Sequence, residues 1–149
     1  MNARTWALIA ALTCAACRQI GFQDRPVRVD RDEVVTVSGV RYEDLFAGKG
    51  PHAGPGDTLL LDYTVWTDDA ARTLVDSTIE RGVPVEMKIG EAIVEGLNDG
   101  LMSLRADGRR RIHVPARQAY GEKGVEGLVP PNADLLFEVH VIEIRPRAN

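Results

Sequence analysis

Apolar and polar residues alternate over several short segments of this chain. Leu59, Leu61, Tyr63 and Val65 alternate with Leu60, Asp62, Thr64 and Trp66, a period of two that assigns each set to one face of a strand. Gly54, Pro55, Gly56 and Asp57 supply the turn that leads into it. Residues 84–89 make a second, shorter strand closed by Gly90, and residues 109–114 a third, with Arg109, Arg111 and His113 on one face. Residues 135–144 form the clearest strand. It puts Leu135, Phe137, Val139 and Val141 on one side, with Leu136, Glu138, His140, Ile142 and Ile144 on the other. Only residues 95–104 follow a helical period, with Leu97, Leu101 and Leu104 at i, i+4 and i+7. Gly96 and Gly100 make that helix weak by itself, so it must be buried against a sheet. The pattern predicts a mostly antiparallel α+β domain with one short helix.

Composition narrows the function. At 149 residues, with 44% hydrophobic and 27% charged positions, the chain suits one globular domain plus a short extra segment. The net charge of −4 offers no basic excess for nucleic acid. Cys14 and Cys17 both lie near the N-terminus, so neither a disulfide framework nor a thiolate zinc site can serve the domain. His52, His113 and His140 lack ligand-like spacing, and no metal or cofactor is expected. Arg109, Arg110 and Arg111 read as a solvated strand face.

The N-terminus reads as an address. Arg4 precedes an apolar stretch over residues 6–16, too short to span a bilayer and shaped like a secretory signal. Ala15 and Ala16 before Cys17 resemble a bacterial lipobox, with cleavage after residue 16 and a lipid on Cys17. Cleavage there removes Cys14 and occupies Cys17, leaving no free thiol in an oxidising compartment. Arg18 is not the aspartate that typically retains such lipoproteins in the inner membrane, which points to a periplasm-facing protein on the outer membrane. Residues 17–35 are polar and read as a tether, and residues 36–145 as the folded domain.

Ordered motifs within that domain resemble a known family. Val37-Ser-Gly-Val-Arg-Tyr-Glu-Asp-Leu45, Gly54-Pro-Gly-Asp57 and Leu61-Asp-Tyr-Thr64 resemble the opening of a bacterial FKBP-type peptidyl-prolyl cis-trans isomerase. Val75-Asp-Ser-Thr78 and Ile93-Val-Glu-Gly-Leu97 follow, then Ala119-Tyr-Gly121, Leu128-Val-Pro-Pro-Asn-Ala133 and Leu136-Phe-Glu-Val139. Each motif is weak alone; their shared order and spacing carry the resemblance. It implies a twisted antiparallel sheet wrapped around one short helix, a fold the periodicity reaches independently.

The resemblance also implies a site. The family's proline pocket maps onto Tyr63, Asp76, Val94, Leu97, Tyr120 and Phe137 as catalytic positions, and onto Val75, Arg81, Val85, Ile93, Leu128 and Val129 as substrate-binding ones. Leu97 replaces the usual tryptophan floor, and Val75 and Val85 stand where the family has aromatic walls. The turn between Tyr63 and Val75 is two residues longer than usual. The expected partners are proline-containing polypeptides, with macrolide inhibitors as possible ligands and the membrane reached through Cys17. The alternative is a proline-segment-binding or chaperone module with little turnover, which Val75 and Val85 favour. A purely structural envelope lipoprotein fits less well, because Tyr63, Asp76, Val94, Tyr120 and Phe137 are all retained.

Overall fold

A computed structural model describes residues 33–70 and 72–148. The signal segment, Cys17 and nearly all of the tether lie outside the described residues. In chain order the elements are strands β1 (Val34–Val35), β2 (Arg41–Phe46), β3 (Lys49–His52), β4 (Thr58–Thr67) and β5 (Leu74–Ser77), then a one-turn helix α1 (Thr78–Arg81). Strand β6 (Val85–Lys88), helix α2 (Glu95–Leu101), strands β7 (Arg105–Ala106) and β8 (Arg109–Val114), a 3-10 turn (Ala116–Gln118) and strand β9 (Leu135–Arg145) follow.

The main sheet runs β1-β2-β8-β9-β4-β5, with β6 also on β4, and every pairing is antiparallel. β4 is its centre. One edge pairs along its whole length with β9, while the other pairs with β6 at its start and β5 at its end. β3 and β7 form a separate two-stranded piece. Leu59, Leu61 and Val65 of β4, Ile112 and Val114 of β8, and Phe137, Val139 and Val141 of β9 bury one face of the sheet against Leu97, Leu101 and Leu104. The architecture is therefore the α+β arrangement expected from the periodicity.

The helix glycines acquire a reason in this packing. A Cβ on Gly96 would stand 2.6 Å from Val114 Cγ1, and one on Gly100 would stand 2.5 Å from Ile112 Cγ2. Both distances are impossible contacts, so the residues that weaken the isolated helix are those that let it press onto β8.

Several local expectations change. The helix ends at Leu101 rather than 104, because Met102 is extended and Ser103 takes a positive φ of 64°. The Ser103 N–H then donates to the Ala53 carbonyl, and Leu104 stays buried in the core without being helical. Val34 and Val35, assigned to the tether, pair with Tyr42 and Arg41 as an outer strand. Arg110 departs furthest from its reading as a solvated residue. It alternates inward with Ile112 and Val114 and is 2% exposed, which is tolerable only because Asp44 and two carbonyls meet its guanidinium.

Candidate functional site

β4 and β9 supply the base of a cavity of about 290 Å3. Val65 lies directly opposite Phe137 in the ladder, so the same sheet face presents Tyr63, Val65, Leu135 and Phe137 together. The Tyr63 and Phe137 rings sit 6.3 Å apart, tilted by 53°, within the usual range for aromatic pairs. The start of α2 closes one side with Ile93, Val94 and Leu97, and the loop after β8 closes another with Tyr120 and Leu128. β5 contributes Val75 and Asp76, and β6 contributes Met87. Leu97, Phe137 and Val94 are buried, whereas Ile93 is 92% exposed and Leu128 47% exposed. The cavity thus has a packed floor and an open apolar rim.

A short polar network stands at the mouth. The Tyr63 hydroxyl donates to Asp76 Oδ2 at 2.5 Å, the Ser77 N–H donates to Asp76 Oδ1 at 2.8 Å, and the Arg81 guanidinium pairs with Oδ1. Ser77 also caps α1 by accepting from the Glu80 N–H, and Gly82 ends that turn in the left-handed conformation, so the helix turn delivers Arg81 back to Asp76. Below it, the Tyr63 N–H donates to the buried Thr78 hydroxyl at 2.9 Å, which itself donates to Asp62. Burial pushes the Asp76 carboxyl up, but the Tyr63 hydroxyl, the Ser77 N–H and the Arg81 charge outweigh it and hold Asp76 below its ordinary value of 3.8. Burial, then the bond to Asp76, raises Tyr63 above its ordinary 10.0. Asp76 is therefore an anion and Tyr63 a neutral phenol across the physiological range.

On the residues that line the cavity, the Val94 N–H and the Tyr120 hydroxyl are among the donors that have no partner among the described residues. The Val94 N–H is free because it precedes the first turn of α2, where no helical acceptor exists. An apolar floor beneath two open donors suits an apolar ring flanked by carbonyl groups.

Nine of the expected residues converge here: Tyr63, Val75, Asp76, Ile93, Val94, Leu97, Tyr120, Leu128 and Phe137. Arg81 stands behind Asp76 rather than on the cavity wall. Val129 is a buried core residue paired with Val125 across the loop. Val85 pairs with Leu61 and does not reach the wall, which Met87 supplies instead. The missed wall residues Val65, Met87 and Leu135 each lie two positions from an expected one, so the period of two was the signal that could have found them. A broader groove of about 640 Å3 near the end of β9 is lined by charged residues, among them Glu86, Lys88 and Arg145. Arg145 is already paired there with Glu86 and Glu143.

Comparison with known proteins matches the family model described as FKBP-type peptidyl-prolyl cis-trans isomerase over residues 50–142. A probable FKBP-type peptidyl-prolyl cis-trans isomerase of Haemophilus influenzae is 31% identical over 79% of this chain, and this chain spans 48% of that protein. An FK506-binding protein of Neisseria meningitidis serogroup B is 30% identical over 72% of this chain and 98% of its own length. The outer membrane protein MIP of Legionella longbeachae is 33% identical over 77% of this chain and 48% of its own. The chain therefore spans about half the length of two of these relatives and nearly all of the third. Among solved structures, the N-terminal domain of FKBP42 from Arabidopsis thaliana superposes with a TM-score of 0.73 at 30% identity, covering 81% of this chain and 98% of that one.

Proposed function

We propose, because this chain belongs to the FKBP-type peptidyl-prolyl cis-trans isomerase family, that its 290 Å3 cavity turns the Xaa-Pro bonds of polypeptides from cis to trans and back. The single observation that carries this reading is the combination at one site of a buried apolar floor and two unpartnered donors.

The chemistry needs little more. A peptide bond resists rotation by about 18–20 kcal/mol because its resonance is lost at 90°. The Xaa-Pro bond is nearly balanced between isomers, yet exchanges only over tens to hundreds of seconds. Rotation breaks no σ bond and transfers no proton, so the protein has only to bind the twisted amide better than the planar one. The twisted amide is less polar at its carbonyl, and an apolar cavity disfavours the planar, well-solvated form more.

Roles follow for the residues. Leu97 is the floor under the proline ring, with Phe137, Tyr63 and Val94 as walls. The Val94 N–H donates to the carbonyl beside the prolyl bond, and the Tyr120 hydroxyl donates to the substrate backbone. Asp76 orients Tyr63 and Arg81 and keeps a fixed negative charge near the rotating carbonyl; it is no general base. Ile93 and Leu128 on the rim favour an apolar residue before proline. The test follows a Leu-Pro and a Glu-Pro peptide through cis-to-trans relaxation. Acceleration that is greater for Leu-Pro is expected, and relaxation of both at the uncatalysed rate by folded protein refutes the reading.

A second reading keeps the pocket but not the turnover: a module that holds proline segments. Val75 and the flexible Met87 in the wall favour it, since both enclose the ring less rigidly than aromatic walls. Binding of a proline peptide without faster exchange would establish it.

The proposal extends to the cell envelope. Ala15-Ala16-Cys17, together with the bacterial relatives and one named an outer membrane protein, supports a lipid-anchored, periplasm-facing protein. Acylation with a labelled fatty acid, lost in Cys17→Ser, is the expected outcome; label retained in that variant places the lipid elsewhere.

A further inference from the structure

Helix α2 carries the pocket floor and the free Val94 N–H, yet little within it explains why it holds its place. It has seven residues, two of them glycine, no side chain capping its start and no basic residue in its last turn. A helix that short and that poor in propensity has no stability of its own. Its position must come from outside.

β8 provides that outside contact in three successive inward residues. Val114 meets Gly96 and Ile112 meets Gly100, the close approaches described above. Arg110, the third, reaches the other end of the helix. Its Nη1 donates to the Gly100 carbonyl at 2.9 Å and to the Met102 carbonyl at 2.7 Å, the orphan acceptors left where the helix stops. Its Nε and Nη2 donate to the two oxygens of Asp44 at 2.6 and 3.1 Å, and its guanidinium lies 4.0 Å from the centre of the Tyr42 ring. Arg110 itself is 2% exposed, so the guanidinium has no freedom to wander. The two apolar contacts press the helix onto the strand, while Asn98 accepts from the Gly90 and Ala92 N–H groups of the loop before α2 and Asp99 accepts from the Ser38 hydroxyl of the loop before β2. The planar fork of Arg110 adds the buried anchor at the C-terminal end of the helix, where a cation also suits the helix dipole.

We propose that Arg110, held by Asp44 and Tyr42 of β2, is a positioning residue for the isomerase site. It touches no substrate and acts through α2 by setting where Leu97 and the Val94 N–H stand under the proline. The proposal rests on the isomerase reading for its catalytic consequence, but its geometric part does not.

The test is Arg110→Lys in the full chain, with Asp44→Asn beside it. Lysine keeps the charge and part of the hydrogen bonding but loses the fork; asparagine leaves Arg110 on both carbonyls while loosening its grip on β2. Both are measured well below their melting temperatures, so that the folded fraction is close to complete. The expected result is a shift of the Val94 and Leu97 backbone amide signals in the folded protein, with a fall in kcat/KM on the order of ten-fold for Arg110→Lys and less for Asp44→Asn. Wild-type amide signals at Val94 and Leu97 in the folded variants would overturn the proposal. So would a loss of activity that merely follows the unfolded fraction. If Arg110→Lys does not fold, Asp44→Asn decides by the same two readouts. The amide signals are read without turnover, so a wild-type protein that binds proline peptides but does not isomerise them removes the isomerase reading and leaves this test intact.

Discussion

Arg81 and Arg110 each meet one aspartate, and the two pairs differ in almost everything except their chemistry. Arg81–Asp76 stands at the cavity mouth, with the arginine side chain 50% exposed and the aspartate 36%. Arg110–Asp44 stands behind the helix, with its guanidinium 2% exposed and the aspartate 34%, so what separates the two pairs is the burial of the arginine. Near water the Coulomb attraction is screened and ordering two long side chains costs entropy, so the outer pair adds little to stability and mainly fixes the direction of a carboxylate and a phenol. In the interior a charge left alone is expensive, so the inner pair cannot be broken without consequence, whatever it contributes when whole. One pair orients a charge toward substrate; the other holds backbone in place.

The largest expected effect falls on the inner pair. Arg110→Ala leaves two helix-end carbonyls without their donor, at about 1–3 kcal/mol each, beside an Asp44 carboxylate that water can reach, and should cost about 3–5 kcal/mol by chemical denaturation. That is a large part of the roughly 5–15 kcal/mol of an ordinary domain. A variant with wild-type stability would mean that water replaces the guanidinium freely and that the two pairs do not differ in kind. Phe137→Ala, which empties a buried wall of the cavity, should also cost about 3–5 kcal/mol and abolish turnover in the fraction that folds.

The outer pair should behave in the opposite sense. Asp76→Ala is expected to lower isomerase activity several-fold while the denaturation midpoint stays close to wild type. A large stability loss with full activity would invert the comparison. The pH profile sharpens it. Asp76 titrates lower in the folded than in the unfolded chain, so its contribution to stability is complete above its ordinary value of 3.8 and is lost as pH falls through the lower folded value. Tyr63 is displaced upward from 10.0. Neither group changes state in between, so kcat/KM for a peptide without ionisable groups should be flat from about pH 5 to about pH 9. A bell inside that window would call for a proton transfer that the rotation does not need.

How much of this was legible follows from what each segment buries. β4 and β9 bury mostly apolar residues at every second position, β8 does so at Ile112 and Val114, and α2 carries Leu97 and Leu101 at helical spacing, so their types could be read directly. β2 could not, because three of its five partners in the ladder with β8 are arginines: Glu43 opposes Arg111 and Asp44 opposes Arg110, so charge stands where apolar residues would signal a strand. The same pairing hid the burial of Arg110, since a single sequence places three arginines in a row on a wet face. β3 and β7 are too short for any period. At the site, Tyr63, Asp76 and Phe137 were identified by motif. Met87 was missed because motif position pointed to Val85, two residues along the same strand face.

The smallest expected effect concerns Val75. Phenylalanine there would add apolar area over the proline, at about 25 cal/mol per Å2 removed from water, and should raise turnover or tighten binding of proline ligands such as macrolides modestly. If the 290 Å3 cavity is already filled by Met87 on that side, overpacking should cost about 1–3 kcal/mol instead, seen as a lower melting temperature. A stable variant with unchanged rate and affinity would take Val75 out of the proline site.

Exchange between the cis and trans signals of a Leu-Pro peptide, followed by magnetisation transfer with a catalytic amount of the folded chain, tests the central claim most directly. The apolar floor and the two free donors predict cross-peaks at mixing times far shorter than the uncatalysed tens of seconds, and their disappearance with Phe137→Ala at equal folded concentration. Peptide signals that shift on binding while cis and trans stay unconnected would show a proline-holding module and contradict an isomerase.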